Sequence, residues 1–393
     1  MGIFTKAKAK DELILVFNIG SSSVGGALFY AQSSGIPKII FSVREPIQVE
    51  EEFDIDKFLS LTLSSLEVVV NKISSAGLGA PKRIFCVLSS ALYVSQTRVI
   101  NLEKNTPFIF TEKLADELTR KEIKLFEEQQ LPKYTSVGSA IRPIELKNIK
   151  TLLNGYETTE PLNQKIKELE MTLFISISGE QVLKKIENTI AKHFHFEQIK
   201  FSSFAMSSFA VVRDMYPLRE NFLLVDIGGE VTDISMIKKG VLSESISFPL
   251  GRNFLTRGVA SMMRVSLNEA SSLVSLFKDG HAEEMIAQKL KPIIDKLKGE
   301  WLKSFQESLA NLSHDISIPA TIYIAIGKDM ADFFSETIKT EQFNQYTLTE
   351  SKFEVIFLSS ELLHGAAEFE KNVIREPFLI IDAIYINRFL TKK

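Results

Sequence analysis

Three shortages in this 393-residue chain exclude whole classes of function. A single cysteine, Cys86, excludes an internal disulfide and a thiolate-cage metal site, and it fits a reducing compartment. Lys and Arg (46) do not outnumber Asp and Glu (49), and a net charge of −3 provides no basic surface, so we expect no nucleic-acid partner. The chain has no uninterrupted apolar run of about 18 residues, so we predict no transmembrane segment.

Glycine is also scarce, and its placement is informative. The chain has 19 glycines, fewer than the usual share of about 7%. Two glycine-containing turns, Asn18–Val24 and Asp226–Thr232, each separate two apolar runs, a pattern that predicts strand, turn, strand. Two halves that open alike suggest a cleft to which each half contributes one loop.

The first turn has small residues throughout. Gly20 permits a tight turn, and Ser21, Ser22 and Ser23 leave backbone N–H groups free to face a phosphate. Asn18 precedes them at the end of an apolar strand. We therefore predict a phosphate loop here, although a plain β-hairpin is the alternative for any single turn of this kind.

The second turn adds a carboxylate. Asp226 ends an apolar strand and could hold the waters of a Mg²⁺ ion, which makes it the candidate metal residue. Gly228 and Gly229 allow close approach of a phosphate, and Thr232 offers a hydroxyl. We predict a second phosphate loop, again with a plain hairpin as the alternative.

A third motif runs from a short apolar strand, 322–326, into Gly327 and Lys328. In a nucleotide cleft this turn would lie against the adenine. A common strand-to-helix turn is the alternative.

The order and spacing of these three motifs resemble the actin-like ATPases. The run VDIGGEVTDISMIKKGVLSESISFPLGRNFLTRGVA is similar to the FtsA family of cell-division proteins, and IGSSSV at 19–24 is similar to the first loop of the PilM family of pilus assembly proteins. The stretch 84–170 resembles the strand–helix–strand–strand insert of this FtsA/PilM branch.

The resemblance implies an α/β, two-lobed actin-like (ribonuclease-H-like) fold with an FtsA-type insert. The expected first lobe comprises 11–83, 171–200 and 361–393, and the expected insert is 84–170. The expected second lobe is 201–360, with a helical subdomain near 256–315. ATP and Mg²⁺ are the cofactors that the resemblance implies.

Several residues depart from the family pattern at the expected nucleotide site. Asn18 replaces an aspartate, Glu230 replaces the third glycine of the second loop, and Lys328 adds bulk in the adenosine loop. Ser271 and Val274 stand where FtsA has the Glu and Lys that clasp the ribose and base. Phosphoryl transfer depends mostly on positioning and charge stabilisation, so we expect at most a weak ATPase and assign no catalytic residue.

The implied function is an FtsA-like scaffold of cell division with weak or lost ATP binding. A PilM-like platform for type IV pilus assembly is the first alternative, and a pseudo-ATPase scaffold or a sugar or acid kinase of the same superfamily is the second. The expected partners are FtsZ or pilus membrane proteins, with self-polymerisation as a further expectation. We expect a cytoplasmic protein that reaches the inner face of the membrane only through partners.

Overall fold

The structure, a computed structural model, describes most of the chain. The described residues are 12–134, 140–313, 317–327, 330–340 and 353–391. Strands and helices are numbered below in chain order. Among the described helices, none combines the length and the apolar character that crossing a membrane requires.

The first sheet has six strands in the order β15-β3-β2-β1-β4-β9. A hairpin, β1–β2, supplies its centre, and β4 and β9 continue from β1 in parallel. Nearly every residue of β1 is buried, because helices cover both faces of the sheet. The strands are β1 (Glu12–Ile19), β2 (Ser23–Ala31), β3 (Lys38–Pro46), β4 (Arg83–Leu88), β9 (Ile199–Ser203) and β15 (Glu368–Phe369).

The second sheet repeats this plan with five strands in the order β12-β11-β10-β13-β14. Its β10–β11 hairpin corresponds to β1–β2, and β13 and β14 again extend in parallel. The expectation of two α/β halves, each opened by a hairpin, is therefore confirmed. The strands are β10 (Phe222–Ile227), β11 (Thr232–Lys238), β12 (Val241–Phe248), β13 (Thr321–Ala325) and β14 (Glu354–Phe357).

A third, four-stranded sheet in the order β5-β8-β6-β7 forms the insert. Its strands are β5 (Val94–Ile109), β6 (Ile141–Leu153), β7 (Tyr156–Glu157) and β8 (Lys165–Gly179). Both expected limits of the insert, 84 and 170, differ from this sheet. Residues 84–88 pair with β1 in the first sheet, and β8 continues to Gly179 because its apolar run stays paired with β5 and β6. The division into domains, with these limits moved, stays a proposal.

The helices form layers on the sheets. Apolar side chains of α1 and α3 pack on one face of the first sheet, and those of α5, α6, α7 and α8 pack on the second. Between the two sheets lies a shared core to which α4 and α9 contribute. The helices are α1 (Ile55–Ser75), α2 (Glu112–Tyr134), α3 (Glu180–Ala191), α4 (Phe204–Met215), α5 (Arg252–Met263), α6 (Leu267–Lys278), α7 (Glu284–Ser313), α8 (Ala331–Thr340) and α9 (Pro377–Tyr385).

Residues 361–390 are only partly helical. Gly365 and Asn372 have φ values of 88° and 69°, which interrupt a right-handed helix. Helix α9 begins only at Pro377, where the Glu376 carboxylate accepts a hydrogen bond from the Leu379 N–H at 2.9 Å. A π-helical turn follows at Ile386–Leu390.

Candidate functional site

The two predicted loops meet. The first loop joins β1 to β2 and is closed by a hydrogen bond from the Gly20 N–H to the Ser23 carbonyl at 3.0 Å. The second joins β10 to β11 and is closed in the same way from Gly228 to Val231 at 3.0 Å. Each loop lies at the end of the central strand of its own sheet. The convergence that the sequence predicted is therefore present.

The contact between the loops is direct. The Ser21 hydroxyl oxygen accepts hydrogen bonds from the N–H groups of Gly229, at 2.8 Å, and Glu230, at 3.2 Å. A Cβ on Gly228 would lie 2.6 Å from the same oxygen, and a Cβ on Gly229 would clash with the Ser21 carbonyl. The expected gap for phosphates between the loops is thus occupied by a serine side chain of the protein itself.

Glu230 has a full set of partners. Arg257 on α5 donates two hydrogen bonds to its carboxylate, at 2.7 and 2.8 Å, and Asn253 donates a third at 2.7 Å. Glu230 is only 9% exposed, so this ion pair is shielded from water. The repulsion that a lone carboxylate would cause here is therefore removed by arginine, a partner that the sequence did not reveal.

Asn18 faces the C-terminal helix rather than the first loop. Its amide donates to one oxygen of Asp382 at 2.7 Å, and the Ser207 hydroxyl donates to the other at 2.8 Å. Burial raises the pKa of Asp382 to about 8, while these two hydrogen bonds act in the opposite direction. The amide at position 18 thus joins the first hairpin to α9 inside the central core.

Asp226, the candidate metal residue, lies beside a second carboxylate. It pairs with Asp233 across the β10–β11 hairpin, so both side chains lie on one face. Asp226 Oδ1 is buried without a hydrogen-bond partner, and burial, followed by the charge of Asp233, raises its pKa well above the ordinary value. Asp233 accepts hydrogen bonds from Ser90 and Ser247, and burial raises its pKa to about 6.

This carboxylate pair has few companions that could bind a metal. Within the described ranges, no group of three or more His, Cys, Asp or Glu side chains could hold a metal ion. The assignment of Asp226 to a Mg²⁺ site therefore stays a prediction.

Two other predicted phosphate ligands have structural roles. The Thr232 hydroxyl donates to the Leu250 carbonyl at 2.7 Å and accepts from the Trp301 indole at 3.2 Å. The Ser23 hydroxyl accepts from Arg44 at 2.6 Å. The Thr232 hydroxyl both donates and accepts within the protein, so it is not free to bind a nucleotide in this arrangement.

The remaining predicted residues, Ser22, Gly327 and Lys328, provide no further evidence for a nucleotide site. The Ser22 carbonyl accepts from the Ile47 N–H at 2.9 Å, which ties the first loop to the chain after β3. Gly327 follows β13, and its carbonyl accepts from the Met330 N–H at 3.0 Å. Lys328, the predicted adenine-loop residue, lies outside the described residues.

These contacts show whether ATP and Mg²⁺ could bind between the two loops. In the observed arrangement of the loops, ATP and Mg²⁺ do not fit there. A phosphate needs free N–H donors, yet those of Gly229 and Glu230 are taken by Ser21. Among the described residues of the two loops, Asp226 offers a carboxylate oxygen without a hydrogen-bond partner, which would suit a cation. Binding would require the two loops to separate.

A groove on the first lobe is a second candidate binding site. It has a volume of about 320 Å³ and lies between insert strand β6 and β9, the terminal strand of the first sheet; its lining residues are 142–147, 198–202 and Leu390. At its floor, buried Glu145 accepts hydrogen bonds from the Tyr385 hydroxyl at 2.5 Å and from the Ser203 N–H and hydroxyl at 3.0 and 2.7 Å. Sequence reasoning missed this groove, because two separate sheets form it.

Comparison with solved structures identifies the architecture. Over 96% of this chain and 97% of the other, the structure superimposes on a chain of the PilM–PilN type IV pilus biogenesis complex with a TM-score of 0.58 and 12% identity. The chain has the actin-like ATPase fold. The expected actin-like fold, with a PilM chain among the structures that share it, is thereby confirmed.

Two further similarities involve EutJ, an ethanolamine utilization protein. The Carboxydothermus hydrogenoformans EutJ structure aligns over 98% of this chain and 92% of its own, with a TM-score of 0.43 and 12% identity. The Escherichia coli K12 EutJ sequence is 36% identical over 86 residues, which is 22% of this chain. The match spans only 29% of the length of that curated relative. No protein-family model matches the chain.

Proposed function

We propose that this protein is a scaffold of the PilM type that binds a partner protein and handles ATP weakly or not at all. The observation that carries the proposal is the direct contact of the two loops through Ser21, which leaves no phosphate space between them. The fold supports it as well, because the PilM neighbour was solved in a complex with a second protein, PilN. Catalytic turnover of a nucleotide would need two separated loops with free N–H groups between them.

The groove between the insert and the first lobe is the proposed partner site. Strand β9 ends the first sheet, so its outer edge can pair with an added extended segment. Lys147 and Lys200 line the groove and favour a segment that carries acidic side chains. The proposed occupant is therefore a short, extended, acidic segment of a membrane-protein partner, which would place this chain at the membrane surface.

Cell division is the second setting, and it rests on the resemblance of the second-loop region to FtsA. In that setting the partner would be FtsZ, and the chain would polymerise. Sedimentation of the purified protein with and without Mg-ATP and FtsZ tests both expectations. Pelleting with FtsZ supports the division role, whereas its absence together with binding of a pilus-protein segment supports the platform role.

The groove itself is tested by fluorescence anisotropy. The probe is a labelled peptide from the cytosolic segment of a PilN-type pilus protein. We expect micromolar binding that Lys147→Glu weakens at least tenfold. Lys124→Glu, on the exposed face of α2, is the matched control and should bind like the wild type. Equal binding by both variants, or no binding of either peptide or FtsZ, would refute the proposal.

A further inference from the structure

Arg257 connects the two lobes. Its Nη atoms form the two hydrogen bonds to Glu230 in the second lobe, and its Nε donates to the main-chain carbonyl of Glu50 at 2.8 Å. Glu50 follows β3 in the first lobe, and its own carboxylate pairs with Lys57 on α1 at 2.6 Å. One planar guanidinium therefore uses its fixed fork to hold both sides of the cleft.

The same ion pair lies next to the loop contact. Glu230 supplies both the carboxylate that holds Arg257 and one of the two N–H groups that donate to Ser21. Asn253 fixes the carboxylate from α5, and its own N–H donates to the Gly229 carbonyl at 2.9 Å. The loop, the helix and the ion pair are thus one hydrogen-bonded unit that faces the first lobe.

We propose that Glu230 and Arg257 form a built-in latch that closes the two lobes in place of a nucleotide. Ser21 satisfies the N–H groups that a phosphate would otherwise bind, and Glu230 supplies the negative charge that the cationic side chain needs. Arg257 then carries the contact across to the first lobe. The closed arrangement is a property of the ligand-free chain, and it does not depend on which partner protein the chain binds.

Hydrogen–deuterium exchange of the purified full chain tests the latch. The Gly229 and Glu230 amides donate across the cleft, so peptides that contain them report the contact itself. In the wild type we expect protection without nucleotide and no change when Mg-ATP is added. Arg257→Ala and Glu230→Gln should each speed exchange in peptides covering 18–24 and 226–232 at least tenfold. The insert sheet, β5 to β8, should exchange as in the wild type.

Two further variants make the result unambiguous. Glu307→Gln removes an exposed ion pair with Lys303 on α7 and should leave exchange at the loops unchanged. The double variant Glu230→Gln/Arg257→Ala leaves no buried unpaired charge, and it should match the single variants, because the two residues act as one unit. Unchanged exchange in the double variant, or tenfold slower exchange of the wild-type loops with Mg-ATP, would overturn the proposal. The exchange experiment uses no partner protein, so its outcome is separate from that of the peptide-binding test of the groove.

Discussion

Replacing Asp382 by asparagine should flatten the dependence of stability on pH. The pKa of Asp382 is raised by burial to about 8, from an ordinary value of 3.8. The folded chain therefore keeps a proton that the unfolded chain has already released above about pH 5, so rising pH favours unfolding. Each pH unit in this window lowers the free energy of unfolding by about 1.4 kcal/mol. Between pH 6 and pH 8 the wild type should lose about 2 kcal/mol from this group.

Asp382→Asn removes this proton while keeping an oxygen that can accept from Asn18. Urea unfolding followed by Trp301 fluorescence at pH 6 and pH 8 measures the effect, since Trp301 is buried in the folded protein. We expect the variant to lose about 2 kcal/mol less than the wild type over this interval. Asp56→Asn, at an exposed position in the first turn of α1, is the control and should retain the wild-type dependence. Parallel curves for wild type and Asp382→Asn would refute the reasoning.

Substitutions at two further sites, each with a control, are followed by thermal unfolding. They test the contact between the loops and the hydrogen bonds of Glu145 at the floor of the groove. Gly229→Ala forces a Cβ against the main chain of the first loop and should destabilise the protein by about 1–3 kcal/mol. Gly299→Ala, in open space on α7, should stabilise it by about 0.5–1 kcal/mol, and equal effects at both glycines would contradict the account. Glu145→Ala strands buried donors, among them the Tyr385 hydroxyl, and should lose about 3 kcal/mol. Glu145→Gln keeps an acceptor and should lose less, so an equal loss would argue against the hydrogen bonds as the cause.

Local pattern was enough to predict both hairpins and their convergence. Each hairpin has apolar runs on either side of a small-residue turn, and residues 13–19 and 222–227 are long enough to form buried central strands. Because the two halves are similar, their turns were predicted to meet at one cleft. These features depend on near neighbours in the chain, and so the sequence alone carries them.

The contents of the cleft were beyond prediction, because they depend on residues far apart in the chain. Ser21 and Gly229 are 208 positions apart, and only the relative placement of the two lobes decides whether a phosphate or a hydroxyl lies between them. Arg257 has no feature that marks it as the partner of Glu230. Asp382 did carry a signal, an acid within an apolar helix, but its partner Asn18 is 364 positions away.

The limits of the insert sheet also depend on pairing between segments far apart in the chain. The strand 83–88 is a nearly continuous apolar run, and the end of β8 alternates apolar residues with Thr and Ser; both patterns predict a strand without indicating its sheet. Only the pairing partner decides which sheet a strand joins, and pairing across distant segments is absent from local pattern.

Calorimetric titration of the wild-type protein with Mg-ATP tests the central claim most directly. The Ser21 side chain of the protein itself fills the space between the two loops. We therefore predict no binding, or a dissociation constant weaker than about 1 mM. A dissociation constant near 1 μM, worth about −8 kcal/mol, would show that the loops part readily for a nucleotide and would contradict the account.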